Sequence, residues 1–169
     1  DYHGALVFIE KNKDIDLRVF IVDDDHFFLN LLKLQLKKNN KIEVFTYSTG
    51  EKCLNNLHLN PDLIILDYHL NGKQSNSKNG GIVAKEIKKT LPQSEIIIIT
   101  SDHNLSSKEN PEGVEKSNIY FKDNYINEKI ESKYVNIFKK RKSKLIQSAF
   151  FPSLIILIII SFLIIYLKF

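Results

Sequence analysis

Residues 19–25, Val-Phe-Ile-Val-Asp-Asp-Asp, set a run of four apolar side chains directly against three carboxylates. Such a run has no polar face, so as a strand it must be covered on both sides, as strands of a parallel sheet are. The same pattern returns downstream. Leu63–Leu66 (LIIL) stops at Asp67, Ile96–Ile99 (IIII) stops at Thr100, and Ile119–Phe121 (IYF) stops at Lys122. Ile42–Tyr47 is rich in β-formers and is closed by Ser48-Thr49-Gly50.

The segments between these runs carry helical spacing. Phe27–Lys38 places Phe28, Leu31, Leu32 and Leu36 inward, with Lys33, Lys37 and Lys38 opposite. Glu51–Leu59 reads as a short helix with Cys53, Leu54 and Leu57 inside, the small buried thiol acting as core filler. Gly81–Leu91 presents Ile82, Val83, Ile87 and Leu91 and is stopped by Pro92. Tyr125–Lys140 repeats Ile126, Ile130, Tyr134 and Phe138 at every fourth position. Strands alternating with helices define the α/β class, here a doubly wound open sheet of five parallel strands over about residues 16–135.

Ligands of such sheets bind beyond the carboxyl ends of the strands. The residues that end the runs, Asp23, Asp24, Asp67, Thr100 and Lys122, therefore form the candidate site. Three carboxylates drawn together raise one another's pKa, and a hard divalent cation relieves the repulsion. A few carboxylates, retained waters and a phosphate suit Mg²⁺. An ammonium and a hydroxyl complete a cradle for a phosphoryl group, and one aspartate can itself be the nucleophile that becomes an aspartyl-phosphate. His26, His69 and His103 also follow strand ends, but their spacing matches no metal-site signature and they read as solvated loop histidines.

Composition excludes several classes. A single cysteine rules out an internal disulfide framework and a cysteine-based zinc site. Ten glycines and prolines in 169 residues rule out collagen-like or low-complexity chains. The chain has no methionine and opens on Asp1, so processing or trimming at the front is expected.

The charge is distributed unevenly. Residues 1–132 hold 17 basic and 20 acidic side chains, a net of −3, so the overall +4 arises elsewhere. It comes from Lys133, Lys139, Lys140, Arg141, Lys142 and Lys144, just before an uncharged stretch from Leu145 to Leu167, and from Lys168 after it. A helix of about 20 residues spans the ~30 Å hydrocarbon core of a bilayer, and residues 149–167 meet that length, with Tyr166 near one interface. The basic run then keeps the large N-terminal part on the cytoplasmic side and contacts anionic headgroups. Nucleic-acid binding is not expected, since no basic surface interleaved with aromatics accompanies the run.

The ordered set VFIVDDD, PDLIILD, IIIITS and IYFK resembles the receiver domain of the two-component response-regulator family. The resemblance implies a flavodoxin-like sheet of order 2-1-3-4-5. It also implies that Asp67 accepts a phosphoryl group from a phosphohistidine on a partner histidine kinase or phosphotransfer protein. Asp24 and Asp67 would ligate Mg²⁺ through carboxylates, with Asp23 acting directly or through water, and the backbone carbonyl of His69 would be a further ligand. Thr100 would bond the phosphoryl oxygens and Lys122 would pair with them.

The resulting organisation is an N-terminal extension (1–16), a receiver (17–138), a basic juxtamembrane segment (139–148) and a transmembrane helix (149–167). The expected protein is a single-pass, membrane-tethered signalling domain with Mg²⁺-dependent phosphoryl transfer and self-dephosphorylation, and not a metabolic enzyme. The different-class alternative is a degenerate, non-phosphorylated receiver serving as a membrane-anchored protein-binding module.

Five departures from the family pattern stand out. Tyr68-His69-Leu70 follows Asp67 where a Met-Pro pair is usual, and the loop through 71–79 is longer than usual. Asp123 replaces the proline after Lys122, so a trans peptide bond and an added negative charge are expected there. The aromatic usual three residues before the lysine is replaced by Ile119, with Tyr120 next to it. Between Thr100 and Ile119 the helical patterning is weak.

Overall fold

The computed structural model describes residues 16–70, 79–102 and 114–166; the side chains of Leu145, Ala149, 151–159 and 161–166 are outside that description. The N-terminal extension up to residue 15, the inserted loop at 71–78, His103 and the segment 103–113 therefore lie outside the described residues. The chain divides into two units, Asp1–Ile130 and Glu131–Phe169.

In the first unit the elements alternate as the apolar runs require. They are β1 (Leu17–Val22), α1 (His26–Leu36), β2 (Ile42–Tyr47), α2 (Gly50–Asn55), β3 (Leu63–Asp67), α3 (Gly80–Thr90), β4 (Glu95–Thr100) and β5 (Ile119–Phe121). A 3₁₀ turn, Leu57–Leu59, follows α2, and a second, Lys116–Asn118, leads into β5. The final helix α4 (Ile126–Tyr166) starts in this unit and continues through the second. All strands are parallel in the order β2-β1-β3-β4-β5, as expected from the motifs. β1 and β3 are central and β3 is buried at every position.

Alternation along the strands divides the core in two. Phe20, Val22, Ile64, Leu66, Ile96 and Ile98 face one side, where Cys53 of α2 and Val83, Ala84 and Ile87 of α3 meet them. Phe20 also packs edge-on against Phe45 and Tyr47 of the adjacent β2, at 5.5 and 4.9 Å between centroids. On the alternate positions Val19, Ile21, Ile65, Ile97 and Ile99 are buried, and α1 contributes Leu29, Leu32 and Leu36. Each fully buried Leu or Ile stabilises the fold by ~1.5–3 kcal/mol relative to exposure.

Two helix faces differ from the sequence reading. Leu31, expected inward, is 45% exposed, and Leu29 takes its place. The buried positions 29, 32 and 36 follow i, i+3, i+7, and Leu31 sits about 100° away from Leu32 on the helix circumference. In α3, Ile82 is 48% exposed for the same reason, while Val83, Ala84 and Ile87 hold the seam.

The helices that follow β1, β2 and β3 are each started by a capping side chain. Asp25 accepts from the Phe27 and Phe28 N–H groups, Thr49 from Lys52 N–H, and Asn79 from Ile82 N–H. At the opposite end of the sheet, the Arg18 guanidinium pairs with Glu43 at 2.9 Å and donates to the Leu59 carbonyl. The Arg18 N–H donates to Asp62 at 2.8 Å, tying the entry to β3 onto β1.

In the second unit α4 runs on to Tyr166, and Tyr134 stacks edge-on against Phe138 at 6.1 Å between centroids. Among the described residues no helix is long and apolar enough to cross a membrane. The expected membrane span at 149–167 falls almost wholly on residues whose side chains are not described.

Burial pushes the Cys53 thiol up to about 12, and the residue is completely enclosed. In the native protein at mildly alkaline pH, a thiol-reactive probe therefore fails to label Cys53, and labelling becomes complete on adding denaturant. Rapid labelling of the folded chain, followed by mass spectrometry, would contradict this packing.

Candidate functional site

The strand order brings the chemistry together. β1, β3, β4 and β5 are consecutive neighbours, so whatever terminates each of them shares one edge of the sheet. Val22 pairs with Leu66, Asp67 with Ile99, and Thr100 with Phe121, which sets Asp23, Asp67, Thr100 and Lys122 side by side. Asp23 and Thr100 are fully buried, Asp67 is 4% exposed, and Asp24 is exposed.

One lysine bridges the two buried acids. Lys122 Nζ lies 2.8 Å from Asp23 Oδ2 and 3.2 Å from Asp67 Oδ1. Burial pushes both carboxyls above their usual range, and Lys122 works against that shift in each. Burial on its own would lower the Lys122 ammonium, but Asp23 and Asp67 together hold it above its ordinary value. The charges are mutually dependent: without the ammonium, two carboxylates would share a dry site.

Asp24 completes a group in which one carboxylate oxygen from each of Asp23, Asp24 and Asp67 lies within 4.8 Å of the others. Asp23 Oδ2 is buried without a well-formed hydrogen bond, although it faces the ammonium. Three carboxylates against one ammonium leave two negative charges over, matched by one divalent cation. Oxygen donors, an orphaned buried lone pair and an exposed entry through Asp24 fit Mg²⁺.

The other expected residues fall into place around this centre. Thr100 Oγ1 accepts from the Asp102 N–H at 3.0 Å, which fixes the hydroxyl at the end of β4. His69 is exposed, its N–H turned to the Asp67 carboxylate and its ring edge-on to Tyr68 at 5.0 Å between centroids. Among the described residues no peptide bond is cis, so Lys122–Asp123 is trans as expected. Asp123 does not add its charge to the acidic group as the sequence suggested. Its carboxylate pairs with Lys129 at 2.8 Å and accepts from Tyr125 N–H at 2.9 Å, and the Lys129 hydrogen bond holds it below its usual range.

Three contributors were not singled out from the sequence. Asp25 caps α1 while its own N–H donates to Asp23 Oδ1 at 2.9 Å, so the cap also orients a buried carboxylate. The Phe28 ring lies under Lys122 Nζ, 4.9 Å from its centroid. Gly80, with its N–H donated to the Tyr68 carbonyl at 2.8 Å, closes the loop that begins after β3. A Cβ at Gly80 would sit 2.2 Å from the Asp67 carbonyl oxygen and 2.8 Å from the Tyr68 Cα. The Asn79-Gly80 pair, a cap followed by the smallest residue, was the available signal for this contact.

Comparison with known proteins agrees with this geometry. The response regulator receiver domain family matches residues 19–125, more than half of the chain, and the chain belongs to that family. A protein of Arabidopsis thaliana described as two-component response regulator ARR21 is 30% identical over 104 residues. The match takes in 60% of this chain and 16% of that relative, so the chain spans about one sixth of its length. Among solved structures, the BeF3-activated receiver domain of DrrB is 25% identical with a TM-score of 0.57, covering 73% of this chain and 97% of that one. The response regulator TrrA from Thermotoga maritima, in complex with Mg²⁺ and beryllofluoride, is 28% identical with a TM-score of 0.56, covering 69% and 97%.

Since backbone cannot move aside cheaply at the acceptor, Gly80→Ala costs ~1–3 kcal/mol of stability through overpacking. Chemical denaturation of the purified variant measures it; an unchanged midpoint would mean that the strand end yields without cost.

Proposed function

We propose that the chain is a membrane-tethered receiver that takes a phosphoryl group onto Asp67 from a phosphohistidine of a partner histidine kinase or phosphotransfer protein. The observation that carries this reading is the ammonium of Lys122 shared between buried Asp23 and Asp67, with Asp24 beside them.

In the transfer, an Asp67 carboxylate oxygen forms a bond to phosphorus as the phosphorus–nitrogen bond of the donor breaks. The electron pair of the broken bond stays on the imidazole nitrogen, which leaves as a neutral ring once protonated. Lys122 meets charge developing on the phosphoryl oxygens, and the Thr100 hydroxyl offers them a donor. Asp23, Asp24 and Asp67, with the His69 backbone carbonyl, would hold Mg²⁺, which would supply positive charge that lets two anions approach. Self-dephosphorylation is the attack of water on the same phosphorus, returning Asp67 as carboxylate.

The tether rests on the sequence and on the course of α4. That helix runs unbroken from Ile126 to Tyr166, so the basic residues and the apolar stretch share one axis. At about 100° per residue, Lys139, Lys140, Arg141, Lys142 and Lys144 are spread around the whole helix. A helix lying in a membrane plane keeps its charges on one face. A ring of charge suits a helix that enters the bilayer end-on, with its basic end among anionic headgroups. Partner choice follows from tethering, which concentrates the receiver near a membrane-bound donor.

Two measurements test the two halves separately. With acetyl phosphate and Mg²⁺ the wild-type chain becomes phosphorylated, and both Asp67→Ala and removal of divalent ions abolish the label. Unlabelled wild-type protein would leave the protein-binding module as the better reading. The full chain remains with membranes after alkaline extraction, while a chain ending at Lys144 is recovered in the soluble fraction. Recovery of both in the soluble fraction would remove the tether.

A further inference from the structure

We propose that Phe28 is a positioning residue for the phosphoryl transfer, its ring holding the Lys122 ammonium against Asp23 and Asp67; the inference rests on the phosphorylation reading of this site. A lysine has a long, flexible stem and a compact charge, so nothing in its own chemistry aims it. Here its head is bounded on two sides by carboxylates at 2.8 and 3.2 Å and on a third by the face of the Phe28 ring at 4.9 Å. The negative face of the ring attracts the cation without neutralising it, and it occupies space that water would otherwise take. The side chain of Lys122 is left 19% exposed.

The ring is itself held in place. Asp25 Oδ1 accepts from the N–H groups of Phe27 at 2.8 Å and Phe28 at 3.3 Å, pinning the first turn of α1. Asp25 N–H donates to Asp23 Oδ1 at 2.9 Å. Asp23, Asp25, Phe28 and Lys122 therefore form a closed circuit: carboxylate to cap, cap to the Phe28 backbone N–H, Phe28 ring to ammonium, ammonium back to the first carboxylate. Phe28 is half-buried and belongs to neither the 29, 32, 36 seam of α1 nor the core cluster on the other face of the sheet. Its contact with Lys122 accounts for an aromatic side chain at that position.

The consequence falls on the reaction. As the Asp67 oxygen bonds to phosphorus and the donor departs with its electron pair, the phosphoryl oxygens arrive at an ammonium already aimed at them. Losing the ring frees the lysine to swing into solvent, and that orientation must then be recovered at each turnover.

The test compares wild type, Phe28→Leu, Phe28→Tyr, Lys122→Gln and the double variant Phe28→Leu/Lys122→Gln, with acetyl phosphate as donor, which leaves as acetate. Phe28→Leu keeps apolar bulk without a π face and is expected to slow labelling about three- to tenfold. Phe28→Tyr restores the wild-type rate, and Phe28→Leu has no further effect once Lys122 is Gln. Unfolding midpoints of the same proteins read the contact independently of phosphorylation, and non-additive shifts are expected. The proposal is overturned by a wild-type rate in Phe28→Leu, by equal slowing in the Leu and Tyr variants, or by additive midpoints. Unlabelled wild-type protein removes the phosphorylation reading itself and this proposal with it, an outcome distinct from labelled wild type with an unaffected Phe28→Leu.

Discussion

An ammonium lodged between two buried carboxylates is the constraint around which the carboxyl edge of the sheet is arranged. Taking any of the three charges out of water is costly, and their mutual attraction repays it only in close geometry. Removing the lysine would leave Asp23 and Asp67 facing one another in a dry site, a loss of ~3–5 kcal/mol for a broken buried pair. The parallel sheet supplies the closeness: Asp67 and Thr100, which end β3 and β4, and Asp23 and Lys122, which follow β1 and β5, sit on four adjacent strands and cannot avoid one another. The site is therefore under tension from its own charges, which a divalent cation would relieve.

The surrounding elements keep that arrangement rigid by local means. Asp25 serves simultaneously as helix cap and as donor to Asp23. Asp102 N–H fixes the Thr100 hydroxyl, and Lys129 draws the Asp123 charge toward the start of α4. Each is a short-range hydrogen bond formed within a few residues of a strand end. The isoleucine-rich core lies directly beneath these small interactions.

Much of this was legible in the residues. The five strands followed from apolar runs and from what ended them, because a strand buried on both faces has no polar alternation to confuse the reading, whereas their order came only from the resemblance to receiver domains. The acids, the threonine and the lysine were legible because each occupied the same place in its unit. Helix faces were less so: α1 carries apolar residues on both sides, Leu29 and Leu31 alike, and only packing decides which is covered. The partner of Asp123 could not be read at all, since it lies on the next helix and a salt bridge leaves no periodic trace. The ring under Lys122 was hidden in a different way. Phe28 satisfied the helical spacing, which gave a core role to a side chain whose partner arrives from the far end of the chain.

The hydrogen bond from Gly80 to the Tyr68 carbonyl has an implication for how this chain can vary. It closes the loop after the acceptor strand at its base, next to Asp67, so the length of what lies between is uncoupled from the geometry of the strand end. Lengthening a closed loop is cheap, about 0.6 kcal/mol for each doubling. Evolution could extend the segment 71–78, or a peptide tag could be grafted there, while the clasp between Gly80 and Tyr68 stayed as it is.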